Sequence, residues 1–131
     1  MDGAGKSQDL HLQLSAEPRS VGLARNAVNE FAEATGADPW AVSLAVSEAV
    51  TNAVLHAHSN GLSGSIDVLA RRNGTRLIVT VSDDGRGMRP NPDSPGLGFG
   101  LALVASVTDE LGIAESPQGG TSVRMTFPLT G

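Results

Sequence analysis

Leu10, Leu12 and Leu14 alternate with polar residues, the two-residue rhythm of a strand buried on one face. From Glu17 to Gly36 the rhythm changes. Val21, Ala24, Val28, Phe31 and Ala32 recur every three or four residues, with Pro18 near the start and Gly36 at the end, which predicts an amphipathic helix. A second helix is predicted to start after Asp38, a helix-capping residue, with Pro39 in its first turn. The segments 65–70 and 76–82 read as two strands joined by a hairpin at Asn73-Gly74. The Gly- and Pro-rich stretch 83–100 is predicted to be a loop, 101–112 a third helix, and 112–116 and 121–129 two closing strands joined near Gly119-Gly120. The order β-αα-ββ-α-ββ predicts an α+β fold: a two-layer α/β sandwich, with a mixed but mostly antiparallel sheet and helices on one face. Residues 1–8 are expected to be a disordered tail and residues 9–131 a single domain, without internal repeats or linkers.

Composition narrows this picture. The 131 residues fit one domain, and 40% hydrophobic residues suffice for a core. With only three Phe and one Trp, that core must be built from Val, Leu, Ile and Ala. A net charge of −5 argues against a nucleic-acid or membrane surface, because phosphate binding normally needs a basic excess. The absence of cysteine excludes disulfides and thiolate metal sites. No apolar leader and no run long enough to span a bilayer is present, so a cytoplasmic protein is the default expectation.

Within the second helix, Ser47, Glu48, Thr51, Asn52 and His56 fall on one stripe at about 100° per residue. A solvated stripe usually carries Lys, Arg and Glu. Short polar groups with a single charge suit either a partly exposed face with an incidental Glu or the wall of a site. Glu48 and Asn52 are i, i+4 neighbours. A carboxylate can take a proton from a hydroxyl, and a carboxamide oxygen can ligate Mg²⁺ beside substrate phosphates. Further on, Asp83 ends a strand, and Gly85 and Gly87 permit a tight turn. Gly96, Gly98 and Gly100 precede a helix, where bare amides form an anion site. Either loop alone is equally an ordinary turn. The spacing excludes the dinucleotide-binding fingerprint, which needs G-x-G-x-x-G directly after a strand. Gly3–Ser7 imitates the end of a P-loop, but no strand leads into it.

Taken together these boxes resemble the Bergerat-type ATP-binding fold shared by gyrase, histidine kinases and MutL. "EAVTNA" (48–53) is similar to its E-x-x-x-N box, "DDGRG" (83–87) to D-x-G-x-G, "GLGFGL" (96–101) to the second glycine box and "GGT" (119–121) to the last. The resemblance covers about residues 9–129. The short chain, "SEAVTNAVLHA" and "VGLARNAV" with Arg25 further resemble the bacterial anti-sigma-factor serine kinases.

This resemblance implies ATP and Mg²⁺ as cofactors. It implies that Asp83 accepts a hydrogen bond from the adenine amine, that Gly87 approaches the base, and that Thr121 lies near it. Asn52 would hold Mg²⁺. Gly96, Gly98, Phe99, Gly100 and the Leu101 amide would belong to the phosphate cradle under a lid of residues 88–99. Glu48 would be the base for an attacking serine hydroxyl. Gly85 completes the turn, and Met88 would pack on the base or fill the lid hinge. The implied function is a serine/threonine protein kinase acting as an anti-sigma factor. It would bind a sigma factor and phosphorylate an antagonist of the STAS fold, as a homodimer, with Arg25 reading the partners. The alternative is an ATP-binding module of the same fold that sequesters a partner without phosphoryl transfer. His56 and His58 diverge on a helix and suit a helix end better than zinc. Arg86 suits a solvated position, and Trp40 a core or interface anchor.

Overall fold

A computed structural model describes residues 9–57, 64–84, 102–115 and 120–129, with His56 and Ala57 described in backbone only. The described elements are β1 (Leu10–Ser15), α1 (Arg19–Glu33), α2 (Pro39–Ala57), β2 (Ser65–Asn73), β3 (Arg76–Asp83), a helix α3 described over 102–107, β4 (Glu110–Glu115) and β5 (Thr121–Pro128).

Local chemistry sets the boundaries. At the β1–α1 corner the buried Ser20 hydroxyl donates to the Ser15 carbonyl at 2.5 Å, which fixes the angle at which the helix leaves the strand. Gly36 ends the first helical segment with φ 89, where a side chain would be strained. Asp38 caps α2 as expected: its Oδ1 accepts the Trp40 N–H at 3.0 Å, and its carbonyl accepts the Val42 N–H at 3.1 Å. The β2–β3 hairpin turns at Gly74, φ 64, with Asn73 paired to Arg76.

The strands form one sheet in the order β1-β2-β3-β5-β4, and every pairing is antiparallel. Among the described residues the expected parallel component is absent because of topology. β3 and β4 run the same way, but β5 lies between them, so no parallel ladder forms. One face of the sheet carries Ile66, Val68, Leu77, Val79, Val81, Met125 and Phe127, all buried. Against them pack Ala24, Val28 and Ala32 of α1 and Val42, Val46 and Val50 of α2. The core is built from aliphatic side chains with Phe127 as the one fully buried aromatic among the described residues, as the composition required. The opposite face presents Gln13, Asp67, Thr80, Ser82 and Arg124, none of them buried.

Two sequence expectations change. Among the described residues the third helix covers 102–107, and β4 begins at Glu110, inside the segment expected to be helical. The Thr108 hydroxyl donates to the Val104 carbonyl at 2.9 Å, closing the helix, and the Asp109 N–H donates to Thr126 of β5 at 2.7 Å. Pairing with the sheet therefore overrides local helix propensity. Of the two roles expected for Trp40, core or interface anchor, its 67% exposure removes the core. Among the described residues no helix is long and apolar enough to cross a membrane.

Candidate functional site

Asp83 ends β3, and Thr121 begins the neighbouring β5, so the antiparallel pairing brings both to the same end of the two central strands. Asp83 is 6% exposed. Its Oδ1 accepts the Thr121 N–H at 3.4 Å, a long contact that orients the carboxylate along the strand ends. On the opposite face of the sheet, the neighbouring Ser82 and Ser122 hydroxyls share a hydrogen bond at 3.0 Å. The next residue, Asp84, is structural: its Oδ1 accepts the Ser65 N–H at 2.9 Å and ties the end of β3 to the start of β2.

Gly120 completes this corner. A Cβ at that position would stand 2.6 Å from Asp83 Oδ1 and closer still to the Asp83 carbonyl oxygen. Only a residue without a side chain lets β5 enter so near to β3. The "GGT" run was legible in the sequence as a box, but the role of Gly120 was not. Its reason lies across the sheet rather than in its own turn.

Over these strands packs α2, which contacts β2, β3 and β5. Its polar stripe has the expected arrangement. Ser47, Glu48 and Thr51 are half-buried, and Asn52 is 8% exposed. Glu48 makes no hydrogen bond or ion pair with the other described residues, so its carboxylate is unengaged on the partly open flank of the helix. Asn52 has a buried carboxamide atom, Nδ2, without a hydrogen-bond partner. Buried polar groups are normally paired, and the exceptions need an explanation. The O and N of a carboxamide are assigned from the surrounding network. A single ligand fits either orientation: the amide donates to a phosphate oxygen, or the carbonyl oxygen ligates a cation. Among the described residues no three His, Asp or Glu side chains converge. A cation here would take few protein ligands and the rest from phosphates and water, the habit of Mg²⁺.

Arg25 lies elsewhere. It is half-buried on the flank of α1, whose main contacts are with α2 and β1. Its guanidinium folds back along the helix, with Nη2 3.5 Å from the point where a Gly22 side chain would begin. It forms no ion pair with the other described residues. The structure thus groups Asp83, Thr121 and Gly120 on the strand ends, sets Glu48 and Asn52 on the helix packed against those strands, and keeps Arg25 apart on α1. Gly85, Gly87, Met88, Gly96, Gly98, Phe99, Gly100 and Leu101 lie outside the described residues.

Comparison with known proteins adds an independent line. Residues 14–127 match the family model described as a histidine kinase-like ATPase domain. The chain is 26% identical to the anti-sigma F factor of Bacillus subtilis (strain 168), over 93% of each chain. It is 30% identical to the anti-sigma F factor of Thermoanaerobacter sp. (strain X514), over 89% of this chain and 91% of that one. Among solved structures it resembles the RsbU and RsbW domains of Rv1364c from Mycobacterium tuberculosis, with a TM-score of 0.69 and 28% identity. That match covers 92% of this chain and 33% of the other, so this chain corresponds to about a third of that protein.

Proposed function

The chain belongs to the histidine kinase-like ATPase domain family, and from this premise we propose that it is an ATP-dependent serine/threonine protein kinase that acts as an anti-sigma factor. Its phosphoryl acceptor is a serine of a STAS-type antagonist, and it works as a homodimer. The observation that carries this reading is the pairing on α2 of a carboxylate that bonds to no other described residue, Glu48, with a buried carboxamide whose Nδ2 lacks a partner, Asn52. The similarity to anti-sigma F factors over nearly the whole chain supports the choice of partners.

In this reading Asp83 fixes the nucleotide. Its buried carboxylate accepts a hydrogen bond from the exocyclic amine of adenine and would meet the oxygen of guanine with repulsion. Asn52 would hold Mg²⁺, which when bound neutralises charge on the phosphates. Glu48 orients the acceptor hydroxyl and takes its proton as the oxygen attacks the terminal phosphorus; the bond to the leaving ADP oxygen breaks in the same displacement. Incubation with labelled ATP and a STAS-domain antagonist tests the whole proposal. Label on an antagonist serine is the expected result. ATP binding and partner capture without label would instead make the protein a sequestering module.

Adenine selectivity has its own test. Asp83→Asn is expected to weaken ATP binding by about 1–3 kcal/mol, the cost of an unmade buried hydrogen bond. The domain is expected to remain folded, because asparagine keeps the Oδ1 that accepts from Thr121. Calorimetric titration of the wild-type chain with ATP and with GTP checks the assignment; equal affinities would refute it.

Arg25 is proposed as the residue that reads the protein partners. A half-buried guanidinium without an ion pair to the other described residues is suited to receive a carboxylate from outside, in the bidentate geometry that arginine favours. Arg25→Glu reverses the charge and is expected to weaken capture of both sigma factor and antagonist. ATP affinity and melting temperature are expected to stay near wild type, since no ion pair among the described residues is lost. Normal capture of both partners by this variant would move the contact surface elsewhere.

A further inference from the structure

On a helix, residues four apart form a ridge inclined to the axis, each member turned about 40° from the last. Trp40, Leu44, Glu48 and Asn52 are successive members of one such ridge on α2. Their exposure falls along it. Trp40 is exposed, Leu44 and Glu48 are half-buried, and Asn52 is buried. The ridge is a ramp that descends from open surface to the carboxamide with the orphaned Nδ2. Beside it run Ser43, Ser47 and Thr51, half-buried and short, which leave a shallow shoulder along the ramp. The core contacts of the same turns come from Ala41, Val42, Ala45 and Val46, so α2 is anchored without the indole of Trp40. A large aromatic left open two turns from a free carboxylate is the composition of a protein contact, where tryptophan is the commonest anchor.

We propose that Trp40 and Leu44 are the docking strip for the phosphoacceptor protein, whose serine reaches Glu48 from the N-terminal end of α2. This rests on the kinase reading above and adds the direction of approach and the residues that select the acceptor. In-line displacement sets the attacking hydroxyl and the leaving ADP oxygen on opposite sides of phosphorus. In that reading Asn52, one turn to the C-terminal side of Glu48, takes the phosphates. The side left to the acceptor is the N-terminal one, over Leu44 and Trp40. At about 1.5 Å per residue, Leu44 lies about 6 Å and Trp40 about 12 Å along the axis from Glu48. An extended chain covers the longer span in about four residues. The strip carries no charge of its own before Glu48, so it selects by apolar contact. The partner it fits is a protein whose acceptor serine is bordered, within about 12 Å, by apolar side chains rather than by a basic patch.

Trp40 is the only tryptophan of the chain, so its fluorescence reports on the strip directly. The full chain is mixed with Mg²⁺, a non-hydrolysable ATP analogue and a STAS-domain antagonist that lacks tryptophan. Emission is expected to move to shorter wavelength, and quenching by iodide to fall. Trp40→Ala keeps the backbone N–H that the Asp38 carboxylate accepts and the core residues of α2. It is expected to raise the KM for the antagonist at least about tenfold, the loss typical of a tryptophan anchor. The kcat at saturating antagonist, the ATP affinity and the melting temperature are expected to stay near wild type. Trp40→Phe should recover most of the loss. Leu55→Ala is the directional control: Leu55 is exposed on the same helix but lies beyond Asn52, and its KM should not change. A raised KM in Leu55→Ala with a normal Trp40→Ala would reverse the direction of approach and overturn the proposal. An unmoved emission would overturn it too, and wild-type label transfer by Trp40→Ala would then leave the kinase reading standing. Emission of the protein alone that shifts on dilution would assign the indole to a second copy, with the same consequence. An indole shielded by the antagonist, with no label transferred from ATP, would keep the strip as the antagonist's contact and refute the kinase reading.

Discussion

Gly120→Ala is expected to lose nucleotide binding by well over tenfold and to melt earlier than the wild type. The added methyl would collide with the carbonyl of Asp83 and stand 2.6 Å from its Oδ1. The obstacle is backbone, and it belongs to a strand paired on both sides, to β2 and to β5, so it has little freedom to yield. Relief must come from β5. Its first residues would move away, lengthening the Thr121 contact to Asp83 and the Ser82–Ser122 hydrogen bond. Overpacking of this kind costs about 1–3 kcal/mol or more, and the displaced atoms are those that orient the proposed adenine acceptor. Gly112→Ala is the control. A Cβ on that edge-strand glycine meets nothing within 4 Å, so stability and ATP affinity should hold. Calorimetric titration and thermal melting of the two variants side by side measure both effects. ATP affinity of wild-type strength in Gly120→Ala would show that the close approach of β5 to β3 is no part of the site.

Much of this architecture was legible in the sequence where a single period decided it. The spacing of Ala24, Val28 and Ala32 gave the buried face of α1, and the alternation in β1 gave its leucine face. The Asp38 cap is also local chemistry, made within two residues. Elements whose reasons are non-local were harder. Residues 101–112 read as helix because nothing in their own pattern announces the pull of Thr126, which draws Asp109 into the sheet. Gly120 looked like half of a turn because the atoms that forbid its side chain belong to Asp83. The polar stripe of α2 was visible by spacing, and its family boxes named Glu48, Asn52 and Asp83. Periodicity could not tell that Asn52 would be buried with an orphaned amide while Glu48 stays half-open one turn away. Burial on the flank of a helix depends on what packs beside it, and that is a property of the sheet.

That difference between neighbours separates their expected roles in substitution. Glu48→Gln keeps the shape of the side chain and its capacity to accept a hydrogen bond, but it removes the base. Glu48 has no ion pair or side-chain hydrogen bond with the other described residues, so none of those contacts is lost. Stability is expected to stay within about 0.5 kcal/mol of wild type, as for surface substitutions generally. ATP affinity should also hold, since in the proposed site Asp83 and Asn52 hold the nucleotide. Phosphoryl transfer to the antagonist serine is expected to fall by about 10²–10⁴-fold, the usual worth of a positioned general base. A residual rate should survive, because much of phosphoryl-transfer catalysis comes from alignment and charge neutralisation. Asn52→Ala should behave in the opposite way, weakening Mg·ATP binding itself. Single-turnover transfer from labelled ATP, with nucleotide affinity measured in parallel, distinguishes the two. If Glu48→Gln transfers phosphate at the wild-type rate, the carboxylate has no part in the chemistry, and the hydroxyl must lose its proton to another acceptor such as solvent or the phosphate itself.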